Sequence, residues 1–330
     1  MRSLSREGSS LAGAFSGLGR KKAGLGRALR AVKPYLAPLL VALTAVFVGR
    51  ALYLGWDDVR GYEWRFDASY LLASVALIGA YYLQQWGGWR LVMRSFGDPL
   101  RRADSMHIWY STILGRYVPG SVAMVAGRIS LCRKRGIPAS TTVASIVYEN
   151  ALILITALLL TAASLPFWPA FRHGEYALLL AALAPLCLIL LHPRIFRRIA
   201  DSALRRAGRG PLGATLSFGR VLALIPYYLL GWTLLGLGFA SLAASVAQVG
   251  AGELALLVGG YAFAWEVGFL SVVVPSGAGV REGMLTAVTG LAFPIPVAVA
   301  LAALARIWQT LAELAAAALA WAFAKASKPR

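Results

Sequence analysis

Arg281 and Glu282 stand side by side in the stretch VVVPSGAGVREG, residues 272–283, with apolar sequence on both sides. An arginine at the centre of a spanning helix costs roughly 2.5 to 3.5 kcal/mol on insertion scales. Such a residue is therefore expected to face a protein interior or a water-filled cavity and to mark function. Pro275 and the glycines at 277, 279 and 283 loosen the backbone beside the pair, and a broken helix is tolerated at that depth only where it lines protein or a cavity. The chemistry on offer is anion recognition. Arginine presents a planar, permanently charged fork that matches phosphate oxygens, and the N–H groups opening the short helix after Pro275 add a favourable dipole. A neighbouring glutamate holds the arginine in place or accepts an amine or a proton.

Other ionisable and amide groups fall inside apolar sequence in the same way. The candidate binding set is Arg116, Arg128, Glu149, Glu266, Pro275, Gly277, Gly279, Arg281, Glu282, Arg306 and Gln309. Plainer readings exist for some of them: Arg116 and Arg128 could snorkel to the cytoplasmic interface, and Glu313 could pair with Arg306 or Gln309 on one helix face. No enzyme chemistry is indicated. Cys132 and Cys187 lie in different segments, and His107, His173 and His192 are scattered. GAGVREG lacks the surrounding βαβ unit of a dinucleotide fingerprint. No metal and no cofactor is expected.

The elements that must position these groups follow from hydropathy. The chain has 330 residues, 58% of them hydrophobic, with several apolar runs of spanning length, which makes it an all-α polytopic membrane protein. Its formal charge of +19 sits mostly on arginines outside those runs. That distribution reads as topology and contact with anionic lipid rather than nucleic acid, for which no basic soluble module is present.

Residues 1–34 read as a basic cytoplasmic tail, 35–324 as one membrane domain, and 325–330 as a second cytoplasmic tail. Six full spans are expected, at 35–54, 69–92, 140–164, 176–191, 216–246 and 297–324. Gln84 and Gln85 in the second are expected to make helix–helix hydrogen bonds. The strongest positive-inside signal is the loop 192–213, with six arginines against one aspartate. Two further segments, 105–133 and 253–293, read as re-entrant helical hairpins. The first has basic flanks and Pro119-Gly120 at its middle, so each arm is too short to span. In the second, 254–274 has the length of a span by itself, which would leave the basic C-terminal tail outside.

The two hairpins share a spacing. Trp109 and Trp265 each lie ten residues before a proline, Pro119 and Pro275, and Pro138 and Pro294 each follow by nineteen. Glu149 then stands thirty residues past the first proline and Arg306 thirty-one past the second. Counting crossings places the two units in opposite orientation, the layout of secondary transporters. Arg281 and Glu282 are expected to meet Arg128 and Glu149 near the midplane.

The motifs GRYVPGSVAMVAGR with a downstream YEN, and VVPSGAGVREG with an arginine in the last helix, resemble the lysylphosphatidylglycerol synthase transmembrane, flippase-like family from about residue 70 to residue 320. The family signature is matched at Pro275, Gly277, Gly279, Arg281 and Glu282, with Ser276 where a glycine is common. Pro119, Gly120, Arg128 and Glu149 match the first-half pattern. With no synthetase domain in these 330 residues, the resemblance implies a standalone member and no aminoacyl-lipid synthesis. It implies a multi-pass protein of the cytoplasmic membrane, both termini inside, that moves a phosphate-bearing lipid head group, either aminoacyl-phospholipid or polyprenyl-phosphate-linked. The alternatives are a non-transporting scaffold that assists a glycosyltransferase and a small-solute or ion-coupled transporter. The expected partners are membrane lipids and an anionic lipid head group, with a lipid-modifying enzyme or a second copy of the chain as further candidates.

Overall fold

The computed structural model describes residues 56–62, 64–97, 100–118, 121–169, 192–206, 210–271 and 279–326, with a few isolated positions besides; side chains are described as far as residue 320. The expected spans at 35–54 and 176–191, both tails, and the turns holding Pro119, Gly120, Pro275 and Gly277 lie outside these residues except for isolated positions. Among the described residues the regular structure is helical.

A short helical turn at Trp56–Arg60 precedes α1, Ala68–Ser95. The N-terminus of α1 is capped by Asp67, whose Oδ1 accepts from the Ser69 N–H at 2.8 Å. Next come α2, Arg102–Thr112, continued by a 3₁₀ turn at Ile113–Tyr117; α3, Val122–Arg133; and α4, Ala139–Ser164. After them lie α5, Pro193–Arg206; α6, Phe218–Ala244; α7, Ala251–Leu270; α8, Val280–Thr289; and α9, Ile295–Ala326. Pro138 and Pro294 immediately precede α4 and α9. Proline's fixed φ suits the start of a helix, and it cannot continue one that came before.

Among the described residues four helices are long and apolar enough to cross a membrane: α4 with its 3₁₀ extension to Phe167, α6, α7, and α9 to Ala320. The 28-residue α1 has the length but is diluted by Gln84, Gln85, Arg90 and Arg94. The segment of the first predicted hairpin holds two helical stretches, one ending at Tyr117 and the next beginning at Val122, each short of the roughly 20 residues a crossing needs. The second differs. Its first arm, α7, is an unbroken 20 residues, and only α8, with ten, is short.

In lipid, helices gain little from apolar burial against one another, so close backbone approach and interhelical hydrogen bonds must hold the bundle. Glycines permit that approach. A Cβ on Gly231 of α6 would stand 2.3 Å from the Gln84 side chain, and one on Gly88 of α1 would stand 2.8 Å from the Tyr228 ring. Through this seam Gln84 Nε2 donates to the Tyr227 carbonyl at 2.6 Å, and the Tyr227 hydroxyl donates back to the Gln84 carbonyl at 3.0 Å. Gln84 thus makes the expected helix–helix bonds, whereas neither polar atom of buried Gln85 has a partner among the described residues. Trp232 on α6 donates to the Ile153 carbonyl of α4 at 2.9 Å. The interior is filled by Trp89, Ile108, Trp232, Phe239 and Tyr261, while Leu72, Val75, Leu230, Leu311 and Leu319 point outward.

Candidate functional site

The turn after α3, with Gly136 at φ 81°, folds α4 back along α3 and sets Arg128 against Glu149. The pair is closely hydrogen-bonded through Arg128 Nη1 and Glu149 Oε2, and both residues are buried. Trp109 on α2 donates its indole N–H to Glu149 Oε1 at 2.9 Å. The Arg128 guanidinium lies over two rings, 5.1 Å from the centroid of Trp89 and 6.0 Å from that of Trp109. A buried ion pair is tolerable only when hydrogen bonds answer its remaining polar atoms. Here two atoms are left over: Arg128 Nε and the Tyr228 hydroxyl have no hydrogen bond among the described residues.

At the other end of the chain the same fold-back recurs with the charges exchanged. The loop at 290–294 turns α9 back along α8, and Arg306 Nη1 lies 3.3 Å from Glu282 Oε1. In the first unit the short helix carries the cation and the long helix the anion; in the second the short helix carries the anion. Glu282 also accepts from the Gly279 N–H at 2.5 Å, closing the open N-terminus of α8.

Both short helices begin on a left-handed residue, Ser121 at φ 52° for α3 and Gly279 at φ 84° for α8. Only glycine takes that conformation without steric cost, about 1–2 kcal/mol for other residues. Ser121→Gly is therefore expected to stabilise the chain by up to about 1 kcal/mol. Gly279→Val should destabilise it by about 1–2 kcal/mol. A Cβ at Gly279 meets nothing within 4 Å, so backbone geometry rather than crowding is the cause. Thermal unfolding in detergent micelles checks both.

A third group gathers on Glu313 of α9, which is fully buried. Its Oε1 accepts from the Tyr82 hydroxyl at 2.9 Å, from Gln309 Nε2 at 2.9 Å and from Arg116 Nη1 at 3.1 Å, and its Oε2 accepts from the Tyr117 hydroxyl. Gln309 continues the chain by accepting at 2.9 Å from the Tyr261 hydroxyl, which in turn accepts from Arg281. Arg281 also stacks over the Tyr261 ring at 4.9 Å, and Arg306 stands 5.8 Å from the Tyr117 ring. Gly268 on α7 lets α8 approach closely, since a Cβ there would lie 2.8 Å from that of Arg281.

Of the predicted site residues, Arg116, Arg281, Glu282, Arg306 and Gln309 converge on this network, and Gly279 caps the helix that presents it. Arg128 and Glu149 form a neighbouring box, joined to it where Trp109 and Tyr82 approach to 6.5 Å. Glu266 is buried on α7. Pro275 and Gly277 lie outside the described residues. The contacts add to two of the plainer sequence readings. Arg116 reaches Glu313, 197 residues away. Glu313 does pair with Gln309, as its spacing predicts, but the Arg306 ion pair is made with Glu282. Tyr82, Tyr117 and Tyr261 were not anticipated. The usable signal was the need of every buried carboxylate and guanidinium for several partners, which aromatic hydroxyls on facing helices can meet.

A family model described as the lysylphosphatidylglycerol synthase TM region matches residues 23–317. No curated protein matches the chain.

Proposed function

We propose that this chain, which belongs to the lysylphosphatidylglycerol synthase transmembrane-region family, moves the phosphate-bearing head group of a lipid across the cytoplasmic membrane. The observation that carries this reading is the run of arginines formed by buried Arg281 and Arg306 and half-buried Arg116, each engaged by an acid or a tyrosine, with buried Arg128 in a box beside them. Several charges at membrane depth are costly for a protein that needs only to stay folded. Each arginine is already the right shape for phosphate, and its acid or hydroxyl partner holds that place while no phosphate is there.

On this reading α1 is a further span. The α2–α3 and α7–α8 units are re-entrant hairpins of opposite orientation, within a bundle of six full spans whose termini are both cytoplasmic. Opening toward one leaflet parts an acid from its arginine. The phosphate oxygens then take the vacated hydrogen bonds, including the free Arg128 Nε, while the lipid tails stay in the hydrocarbon. Closing restores the internal pairs and releases the head group on the other side. Because the internal acid and the substrate phosphate compete for the same fork, binding need not be tight for the cycle to turn.

The test is head-group translocation in reconstituted vesicles, with anionic and polyprenyl-phosphate lipids as separate probes. Arg281→Ala is expected to reduce the rate at least tenfold while the protein remains folded, with Arg281→Lys giving partial recovery. Unchanged translocation in the alanine variant would sink the assignment. Wild-type protein that moves neither lipid, with the membrane-depth charges freely replaceable, would favour a scaffold that supports a lipid-modifying enzyme.

A further inference from the structure

We infer that α5 and the residues flanking it form a separate binding site for an anionic phospholipid, remote in composition from the buried network and not used in the translocation reading. The helix divides into three faces at the 100° step of an α-helix. Phe196 and Ala200 are buried against the protein, and the Phe196 ring lies 4.4 Å from that of Tyr148 on α4. Arg194, Arg197, Arg198 and Arg205 share the opposite, exposed side with Asp201. Between these two faces Ile195 and Ile199 make an apolar flank, and Ile199 is 53% exposed. A helix with a protein face, an apolar open flank and a basic open face suits the plane of a membrane surface.

Two clefts mark the flank and the basic face. One, about 350 Å³, is lined by the four arginines and Asp201. The other, about 390 Å³, is lined by Ile189, His192, Ile195 and Phe218. Asp201 does not cancel the basic cleft, because its Oδ1 accepts from the Leu212 N–H at 2.8 Å and its Oδ2 lies 3.6 Å from Arg197 Nε. The remaining guanidinium groups offer forked donors to a phosphodiester. Arg194 of the basic cleft and Ile195 of the apolar one are consecutive residues of α5, so one short stretch of helix contributes to both. A head group with one net negative charge fits the arginines, and the first part of an acyl chain fits the groove beside them. A soluble anion would use only the first cleft and a zwitterionic lipid only the second, so the occupant that uses both is an anionic phospholipid.

The experiment uses the full chain in phosphatidylcholine nanodiscs doped with phosphatidylglycerol. Native mass spectrometry counts the retained lipid, and Arg194→Gln, Arg197→Gln, Arg198→Gln and Arg205→Gln are combined in one variant. Wild type should enrich phosphatidylglycerol over phosphatidylcholine. The combined variant should lose that enrichment by at least about tenfold, and Ile195→Trp, which fills the groove, should weaken it with all four arginines present. These exposed side chains do not hold the fold, and an unchanged thermal midpoint confirms that. Enrichment that survives the four substitutions, or that millimolar inorganic phosphate abolishes without any effect of Ile195→Trp, would overturn the inference, the second outcome marking a plain anion site. Arg281→Ala is expected to keep the enrichment, so this site and the translocation route fail separately.

Discussion

Glu313→Ala is expected to be the most damaging single substitution in the chain. It removes an acceptor on which Arg116, Tyr82, Tyr117 and Gln309 all converge, in a place from which solvent is excluded. Truncating one member of a buried ion pair costs about 3–5 kcal/mol, because the other charge is left uncompensated. Here three neutral donors are orphaned as well, at about 1–3 kcal/mol for any that stays buried and unmet. Arg116 retains partial access to solvent at 26%, so part of its cost can be relieved by turning outward. The net effect expected is a loss comparable to the whole stability of many domains. It should appear as poor recovery from the membrane or as a sharply lowered thermal midpoint. Glu313→Gln, which keeps the shape and an acceptor oxygen, should recover folding but not the full ion pair. Near wild-type stability of the alanine variant would mean that the convergence on Glu313 contributes little.

The second large effect concerns the exchanged polarity of the two fold-back pairs. Arg306→Ala takes from buried Glu282 the guanidinium 3.3 Å away, and Glu282→Ala takes from Arg306 that carboxylate while also uncapping α8. Either should cost about 3–5 kcal/mol. The double exchange Glu282→Arg with Arg306→Glu recreates the arrangement that Arg128 and Glu149 already use between α3 and α4. It should recover at least half of the loss in a double-mutant cycle on thermal unfolding. Recovery will be incomplete, since an arginine at 282 cannot accept the Gly279 N–H. Losses that simply add, with no recovery in the exchanged variant, would show that the two residues do not act as a pair.

The two effects separate structure from transport. Glu313 joins the first unit to the last helix, so its removal is expected to act on folding. The exchanged pair should fold and yet translocate poorly, because on the proposed route a phosphate would meet its cation on the opposite helix.

Much of this architecture was legible in the sequence, and the reasons differ by element. The expected segments 140–164, 216–246 and 297–324 match α4, α6 and α9 to within two residues at each end. They are apolar runs stopped by proline, glycine or basic residues, and those stops act locally. The end of one helical stretch at Tyr117 and the start of the next at Val122 were readable for the same reason. The unbroken course of α7 was open, because 254–274 has no proline and its glycines at 259 and 260 pack against Ser164 and Val288 on other helices. Which charges would be buried was visible from their apolar settings. Which acid would answer which arginine was not. Pairing by spacing works along one helix and found Gln309 with Glu313. It has no purchase on contacts between residues 116 and 313 or 282 and 306, which depend on how the helices are laid together. The tyrosines were hidden because an aromatic residue in an apolar helix looks alike whether its hydroxyl meets a carboxylate or the membrane surface.

Glu313 also sets an order of events during synthesis. Arg116, Tyr82 and Tyr117 leave the ribosome well before their shared acceptor, and 197 residues separate Arg116 from it. At roughly 5–20 residues per second that interval lasts on the order of 10 to 40 seconds. Throughout it the first half carries an arginine and two tyrosine hydroxyls with their carboxylate still unmade. Until α9 arrives that seam has no buried acceptor to close it, so the synthesis of Glu313 is the step that lets these donors pack together.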